Sequence, residues 1–315
     1  MADLPAFRVQ ETKAFVHTGV DYAGPINITL CRRRGQRSQK SYICLFICLV
    51  TKAVHIELAS DLSSESFISA FKRFISRRGP VSCLYSDNGT NFIGAKSQLN
   101  ELYTFLNSEN YNCILQNDLN QRRIEWHMIP PRAPHFGGIW ETQFKSIKTH
   151  LFRVIGKQLL TYEELLTVLI QIETVLNSRP LCVLQEEPHP EPLTPAHFIM
   201  SSPLQCLPLT PLSDIPLRTR KSLLDQMIYS YWKRWHLEYL NNLQVRQKWF
   251  KNTDNVKVGT VVLIHDDNVS PLRWPMGIIV KIYPGSDGIA RVASVKTQNG
   301  LLKRPIVKLS PLPSQ

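Results

Sequence analysis

A nearly continuous apolar run, Ser41–Val50, constrains the fold of this chain more than any other stretch. Its Ile, Cys and Leu residues follow one another without the polar alternation of a strand that faces water on one side. The run is also too short to cross a bilayer. It therefore predicts a central strand that is buried on both faces of a sheet.

Strand and helix patterns around this run predict a mixed α/β domain. Strands are predicted over Phe15–Tyr22, closed by Gly24-Pro25, and over Ala53–Leu58, Val81–Tyr85 and Ile124–Ile129. Apolar residues at helical spacing predict a helix that begins near Ser64 and ends at Gly79-Pro80, and helices over Ala95–Leu106, Ile139–Ile155 and Thr161–Asn177. The last helix opens with a capping box, Thr161 with Glu164. One helix between the third and fourth strands, with more helices after them, indicates a mixed sheet flanked by helices.

The rest of the chain divides by composition. Residues 180–216 hold nine of the 21 prolines and show no helix or strand pattern, so we interpret them as a Pro-rich linker. Residues 217–252 have helically spaced aromatic residues, which favour packing. Short strands and hairpin signals over residues 253–315 are typical of a small β-barrel. The predicted order is an extended lead-in (1–14), a core domain (15–179), the linker, a helical segment and a C-terminal β domain.

Charge is distributed unevenly along the chain. Residues 217–315 hold 16 Lys and Arg against 6 Asp and Glu, a net +10, whereas residues 180–216 have no Lys or Arg and four acids. A basic C-terminal third favours a polyanionic partner, nucleic acid before an acidic membrane. The alternative is a basic surface that only confers solubility.

The cysteines and the N-terminal sequence indicate the compartment. Seven cysteines, an odd number with no Cys-x-x-Cys pair, predict free thiols in a reducing environment rather than a disulfide framework. The first twenty residues lack the apolar segment of a signal peptide. We therefore expect a nuclear or cytoplasmic protein that is neither secreted nor bound to a membrane.

One strand leads directly into an acidic turn. Val81–Tyr85 is followed by Asp87, and Asn88-Gly89 then turns the chain. An α/β sheet usually presents its reactive groups at such strand ends. The alternative is that Asp87 only forms a turn or caps a helix, as most Asp-Asn-Gly triplets do.

Two more carboxylates have comparable positions. Asp21 is near the end of the first strand, and Glu141 is near the start of the helix that follows the Pro/Gly loop at residues 130–138. Rigid elements of this kind can bring the three acids Asp21, Asp87 and Glu141 together. Converging carboxylates need cations, and hard oxygen ligands suit Mg²⁺ or Mn²⁺. Two such ions can activate an attacking oxygen and stabilise a leaving oxygen in phosphodiester chemistry.

Basic side chains near these acids are candidate DNA ligands. Lys145 and Lys148 follow Glu141 by four and seven residues, so they share its helix face and could hold a DNA backbone. Arg32, Arg33 and Arg34 crowd the turn after the first strand and are candidate phosphate contacts. For both groups the alternative is a solvated surface.

The blocks that contain the three acids resemble a known family. Residues 19–25 (GVDYAGP), 86–92 (SDNGTNF) and 134–141 (PHFGGIWE) resemble the core of a retroviral-type integrase, specifically the integrases of BEL/Pao-type LTR retrotransposons. Residues 176–181 (LNSRPL) and 193–198 (LTPAHF) are similar to downstream blocks of that family. Residues 272–277 (LRWPMG) and 283–288 (YPGSDG) are similar to its small C-terminal β domain. The resemblance covers about residues 1–313.

This resemblance implies an RNase H-like fold followed by an SH3-like β-barrel. It implies that Asp21, Asp87 and Glu141 are the catalytic acids and the ligands of two Mg²⁺ or Mn²⁺ ions. The implied activity is DNA integration, in which a DNA 3′-hydroxyl is transferred onto a target phosphodiester. The implied partners are DNA and further copies of the chain, in a dimer or tetramer.

The chain departs from the family pattern in one way that leaves the activity open and in one minor way. The family's integrases usually begin with a His/Cys zinc module, but the chain has no His-His-Cys-Cys spacing, so no structural zinc is expected. Ala196 stands where Gly is expected. We expect an integrase fragment or a host gene derived from one.

Such a chain is either an active polynucleotidyl transferase or a domesticated, non-catalytic nucleic-acid-binding protein. A third alternative, an RNase H-like nuclease, is disfavoured by the C-terminal β domain and by the lack of a fourth acid in a matching block.

Overall fold

A computed structural model describes residues 12–33, 35–106, 124–128, 138–185, 190–204, 220–244, 256–266, 269–285 and 290–313. The side chains of residues 102–106, 138–141 and 185 lie outside this description. The chain forms two compact units, Met1–Glu173 and Thr174–Gln315. The predicted loops at 107–123 and 130–138 lie almost entirely outside the described residues, and the finer domain boundaries stay predictions.

The first unit contains the strands and helices of an α/β fold. Its strands are β1 (His17–Thr29), β2 (Ser38–Cys48), β3 (Val54–Ala59), β4 (Cys83–Ser86), β5 (Glu125–Met128) and β6 (Leu160–Thr161). Its helices are α1 (Ser64–Arg78), α2 (Thr90–Leu106), α3 (Gly138–Ile155) and α4 (Tyr162–Asn177), the last of which ends beyond the unit boundary.

The strands of the first unit form one mixed sheet. Their order is β3-β2-β1-β4-β5, and β6 adds to β1. β1 and β3 are antiparallel to β2, whereas β4 is parallel to β1 and β5 is parallel to β4. The predicted mixed sheet flanked by helices is confirmed.

The apolar run in β2 lies at the centre of the core, as predicted. Every residue from Ile43 to Cys48 is buried. Phe46 stacks on Phe74 of α1 with ring centroids 4.2 Å apart. Helix α1 begins after Ser63, whose side chain accepts a hydrogen bond from the Ser66 N–H, and it buries an aromatic face against the sheet.

The first strand is longer than predicted, because Gly24-Pro25 does not end it. β1 continues to Thr29 through an irregularity between Ala23 and Ile26, and it pairs with β2 on both sides of that point. Gly24 has φ +147°, and a Cβ atom there would lie 2.7 Å from the Tyr42 ring. Glycine is therefore required for the strand to pass β2 at this point.

The second unit combines helices with an antiparallel sheet. Its elements are β7 (Cys182–Gln185), β8 (Glu191–Leu193), α5 (Pro195–Met200), α6 (Arg220–Leu243), β9 (Val261–Ile264), β10 (Met276–Pro284), β11 (Ala290–Thr297), β12 (Gly300–Pro305), a 3₁₀ turn (Ile306–Lys308) and β13 (Leu309–Pro311). The expectation that residues 180–216 lack regular structure is wrong for their described part. Two short strands form there, and Pro195 is tolerated in the first turn of α5, where a proline costs no helical hydrogen bond.

The C-terminal sheet has the strand order β12-β11-β10-β9-β13. Its core includes Val262, Ile279 and Val295, which are all less than 1% exposed. The helical aromatics pack as predicted: Trp232 and Trp235 of α6 are buried and contact the Trp274 ring edge-on. An antiparallel C-terminal β domain is therefore present, while its closure into an SH3-like barrel stays a prediction.

A buried ionic network joins β3 to α1 and α4. Glu57, 2% exposed, accepts a hydrogen bond from Arg73 Nε at 2.6 Å and lies 3.2 Å from Arg77 Nη1. His55 lies between two carboxylates, with Nε2 3.0 Å from Glu57 and Nδ1 3.3 Å from Glu173. Burial raises the pKa of Glu57, but the hydrogen bonds from His55 and Arg73 outweigh burial and lower it. The ionised network therefore depends on every partner being present.

We expect Glu57→Ala to lower the free energy of unfolding by about 3 kcal/mol, because it leaves the buried His55 and the half-exposed Arg73 without their shared carboxylate. Urea unfolding followed by circular dichroism measures this loss. Glu101→Ala, at an exposed glutamate of α2, is the control and should cost less than about 0.5 kcal/mol. Equal losses in the two variants would contradict the importance of the network.

Candidate active site

Asp21 and Asp87 lie at the same level of two neighbouring parallel strands. The last residue pair between β1 and β4 is Gly19 with Tyr85, and each aspartate follows its member of that pair by two residues. Side chains two residues apart project from the same face of a strand. The register therefore places the two aspartates on the same side of the sheet; burial is the main cause that raises the pKa of Asp21, and the charge of Asp87 adds to it.

Asp87 also forms a turn, which the sequence analysis gave as the alternative to a functional role. The Gly89 N–H donates to Asp87 Oδ1 at 3.0 Å, and α2 begins directly afterwards at Thr90. This helix starts five residues earlier than predicted, so the acidic turn is held between a strand and a helix. A carboxylate fixed in this way can serve both as a turn former and as a ligand, because its two oxygens together offer more acceptor sites than the bond from Gly89 uses.

Asp21 lies inside β1 rather than near its end and has two close partners. Lys148 Nζ donates to Asp21 Oδ2 at 2.5 Å, and the Tyr22 N–H donates to Asp21 Oδ1 at 2.6 Å. Burial raises the pKa of Asp21, and the charge of Asp87 adds to this effect. The hydrogen bond and charge of Lys148 act in the opposite direction, but the pKa stays raised overall. Asp21 is thus a partly buried carboxylate that depends on a nearby cation.

Helix α3 provides that cation and also contains Glu141. Glu141 is the fourth residue of α3, and Lys148 follows it by seven residues, which is two helical turns or about 10.5 Å. The two positions therefore share one face of the helix, the face from which Lys148 reaches Asp21. The side chain of Glu141 lies outside the described residues, so its meeting with the two aspartates stays a prediction.

The remaining candidate DNA ligands have different surroundings. Lys145 is exposed on α3, and Arg33 is exposed in the turn between β1 and β2. Arg32 forms an ion pair with Glu164, the capping-box residue of α4. Arg34 lies outside the described residues. A contact of Arg32 with phosphate would have to compete with its carboxylate partner, and the DNA-binding role of all five basic residues stays a prediction.

The capping box of α4 forms as predicted. The Thr161 N–H donates to Glu164 Oε2 at 2.9 Å, and the Glu164 N–H donates to Thr161 Oγ1 at 3.2 Å. The same glutamate thus fixes the start of the helix and holds the turn between β1 and β2 through Arg32.

Chemically, the paired aspartates suit a hard divalent cation. Their like charges disfavour ionisation of Asp21, and a cation shared by the two carboxylates would remove that cost. Carboxylate oxygens are also the ligands that Mg²⁺ and Mn²⁺ prefer. The donor set therefore fits the predicted metal, and Lys148 shows that the pocket of Asp21 accommodates positive charge.

Sequence reasoning identified Lys148 but not its partner. The spacing of seven residues placed Lys148 on the face of Glu141, whereas its ammonium group contacts Asp21, 127 residues away in the chain. Only the packing of α3 against β1 could reveal this pair. The same packing makes Lys148 a charge regulator of Asp21 in addition to a candidate DNA ligand.

Comparison with known proteins gives one family match and several similar structures. Residues 219–312 match DUF5641, a family of unknown function. No curated protein sequence matches the chain. The simian T-cell lymphotropic virus intasome in complex with a PP2A regulatory subunit is similar at 13% identity and a TM-score of 0.37, over 96% of this chain and 81% of that chain.

Two catalytic core domains of retroviral integrases are also similar. The BIV core has 16% identity and a TM-score of 0.35, over 59% of this chain and 95% of that chain. The HTLV-2 core, in complex with magnesium, has 16% identity and a TM-score of 0.36, over 60% of this chain and 99% of that chain. None of the described helices is long and apolar enough to cross a membrane.

The ionic contacts of Asp21 predict opposite pKa changes for two variants. Lys148→Met should raise the pKa of Asp21, because it removes the favourable ammonium. Asp87→Asn should lower it, because it removes a repelling charge. Carboxyl ¹³C NMR titration without divalent metal measures both changes. Lys145→Met, one turn away on α3, is the matched control and should leave the pKa of Asp21 unchanged; a shift as large as that of Lys148→Met would contradict the contact.

Proposed function

We propose that the chain is an integrase-type polynucleotidyl transferase, dependent on Mg²⁺ or Mn²⁺, that joins a DNA 3′ end to a target phosphodiester. The observation that supports this most directly is the position of Asp21 and Asp87. Asp21 lies in β1, Asp87 directly follows the neighbouring parallel strand β4 at the same level, and the helix of Glu141 packs against β1. The resemblance of the three surrounding blocks to BEL/Pao integrases agrees with this proposal.

In this proposal Asp21, Asp87 and Glu141 hold two divalent ions. When bound, these ions supply charge stabilisation and nucleophile activation for phosphodiester chemistry. The chain's own contribution is positioning. The turn at Gly89 fixes Asp87, and the Tyr22 N–H orients the Asp21 carboxylate. Such fixed ligands do not need to reorganise during the reaction.

Lys148 has a distinct task in the same proposal. Its ammonium holds Asp21 in the ionised form despite burial and the nearby charge of Asp87. An ammonium at this place can transfer its contact to a DNA phosphate once another cation neutralises the carboxylate. Lys145, exposed one turn away, is placed to contact the same backbone. Assembly as a dimer or tetramer and a nuclear location also belong to this proposal.

The proposal predicts that Asp21→Asn, Asp87→Asn and Glu141→Gln each reduce metal-dependent DNA strand transfer more than about a hundredfold, because each removes a ligand that acts as part of one unit. The measurement is joining of a labelled DNA 3′ end to a second duplex in Mg²⁺ or Mn²⁺. Glu101→Gln, at an exposed glutamate of the same unit, is the control that should retain activity. A folded wild-type chain that neither joins nor nicks DNA in either metal would refute the proposal.

A second candidate function, nucleic-acid binding without catalysis, is favoured by one surface of the C-terminal sheet. Tyr283 on β10 lies between two lysines, with Lys281 Nζ 5.3 Å and Lys303 Nζ 4.2 Å from its ring centroid. Lys281, Ser294 and Lys303 form one row across β10, β11 and β12. We call these four residues the basic face. Lysines suit phosphate contacts and a tyrosine ring can stack on a base, so this face suits a nucleic acid.

If the basic face binds DNA, Lys281→Gln with Lys303→Gln should weaken binding and reduce the salt dependence of log Kd by about 1.8, which is about 0.9 for each phosphate that is no longer neutralised. Fluorescence anisotropy with a labelled duplex over a range of salt concentrations measures this slope. Lys257→Gln with Lys308→Gln changes two exposed lysines elsewhere in the same unit and is the charge-matched control.

Equal slopes for the two double variants would exclude the basic face as the DNA contact. Asp87→Asn separates the two candidate functions. If the chain is an enzyme, this variant loses strand transfer while it retains DNA binding. If the chain only binds DNA, neither the variant nor the wild type shows strand transfer.

A further inference from the structure

Three side chains of metal-ligand type converge on the sheet face of Asp21 and Asp87. Cys83 begins β4, and it pairs in register with Glu125 of β5, while His127 lies two residues further along β5. The intervening residues Leu84 and Trp126 are buried on the opposite face, where Trp126 contacts Phe67 of α1. Cys83 is half-buried, and Glu125 and His127 are exposed. The three residues therefore form an accessible cluster that the proposed catalytic chemistry does not use.

The donor atoms of this cluster are close enough to share one ion. All three lie within 4.8 Å of one another. Glu125 Oε2 is 3.5 Å from His127 Nε2 and 4.0 Å from Cys83 Sγ. In a tetrahedral site with bonds of about 2.0–2.3 Å, neighbouring ligand atoms are about 3.3–3.8 Å apart. Small side-chain rotations at an exposed position would bring the cluster to that spacing.

The chemistry of the donors selects the metal. One thiolate, one imidazole and one carboxylate are a ligand set typical of Zn²⁺, with water able to take the fourth position at an exposed site. Mg²⁺ prefers oxygen ligands only, so the ion of the aspartate pair is a poor competitor here. We propose that Cys83, Glu125 and His127 form a Zn²⁺ site on the exposed face of β4 and β5. This site was not expected from the sequence, which lacks the His/Cys spacing of a zinc module.

A metal at this place would stabilise one edge of the sheet. β5 is a four-residue strand at the end of the strand order, with β4 as its only paired neighbour among the described strands. One ion bound by both strands fastens β5 to β4 in addition to the backbone hydrogen bonds. It would therefore hold the edge of the sheet on the side of Asp87.

The same ion would also restrict Tyr85, which lies between the Zn²⁺ site and Asp87. The His127 ring stacks on Tyr85 with centroids 5.0 Å apart. Tyr85 lies between Cys83, on the same face of β4, and Asp87, which directly follows this strand; four extended residues span about 13 Å. The Zn²⁺ site and the aspartate pair are thus separate sites on one face, connected through the rigid strand β4.

The test measures metal binding to the purified, metal-free chain in an Asp87→Asn background, in which the proposed magnesium site is disabled. Zn²⁺ affinity is obtained by competition with a chromogenic chelator, and Co²⁺ serves as a spectroscopic probe of thiolate coordination. We expect one Zn²⁺ per chain and a thiolate-to-cobalt charge-transfer band. Cys83→Ser and His127→Gln should each raise the Kd at least about tenfold, equivalent to about 1.4 kcal/mol.

Cys31→Ser provides the matched control, because Cys31 is another half-buried thiol, in the turn between β1 and β2. This variant should bind Zn²⁺ with unchanged affinity and keep the charge-transfer band. Zn²⁺ should also raise the melting temperature of the parent chain but not of Cys83→Ser. His127 is exposed, so His127→Gln tests the site even if Cys83→Ser fails to fold.

Three results would overturn the proposal. The first is equal Zn²⁺ affinity in Cys83→Ser and Cys31→Ser, and the second is a Co²⁺ spectrum without thiolate absorption. The third is Zn²⁺ binding that occurs in the wild type and is absent from Asp87→Asn, since the ion would then occupy the aspartate pair. None of these results depends on strand-transfer activity, so the Zn²⁺ site and the proposed enzyme function can fail separately.

Discussion

The parallel pairing of β1 with β4 is the constraint on which the candidate site depends. Through this register, Gly19 and Tyr85 are paired and the two aspartates that follow them become level. A slip of one residue would send one carboxylate to the opposite face of the sheet. The register is protected by burial, because Thr18 and Leu84, the neighbouring pair, are both fully buried.

Charge compensation is a second organising feature of the first unit. The candidate catalytic acid Asp21 is paired with Lys148, and the buried glutamates of the network are paired with histidine and arginine. The two arrangements serve different ends. The network of Glu57 connects α1 and α4 to the sheet, whereas Asp21 is paired, among the described residues, with the ammonium of Lys148, which another cation can replace.

The sequence predicted the parts of this fold that depend on local pattern. The buried run of β2 has no polar alternation, and the capping box at Thr161 and Glu164 is a local motif, so both were correctly predicted. The prediction that the first strand ends at Gly24-Pro25 was wrong. A Gly-Pro pair usually ends a strand, but here β1 pairs with β2 on both sides of an irregularity. Regular structure within residues 180–216 was missed for a similar reason, since tertiary packing outweighed the proline content.

The sequence predicted which residues contribute to the candidate site but not how they are arranged in space. The positions of Asp21 and Asp87 at or within strands followed from hydrophobic patterning and from the family resemblance. Strand order and register determine the rest of the arrangement. They place Asp21 and Asp87 at the same level, bring Lys148 to Asp21, and bring Cys83 to His127. These are long-range properties that spacing along the chain does not encode.

The separation of 127 residues between Asp21 and Lys148 has a consequence for synthesis of the protein. At a translation rate of about 5–20 residues per second, the ribosome needs about 6–25 s after making Asp21 to make its counter-ion. During that interval the β1–β2 hairpin can already form from neighbouring segments, while its acidic residue has only solvent and backbone as partners. The ammonium that compensates Asp21 therefore becomes available only after the strands of this hairpin have been synthesised.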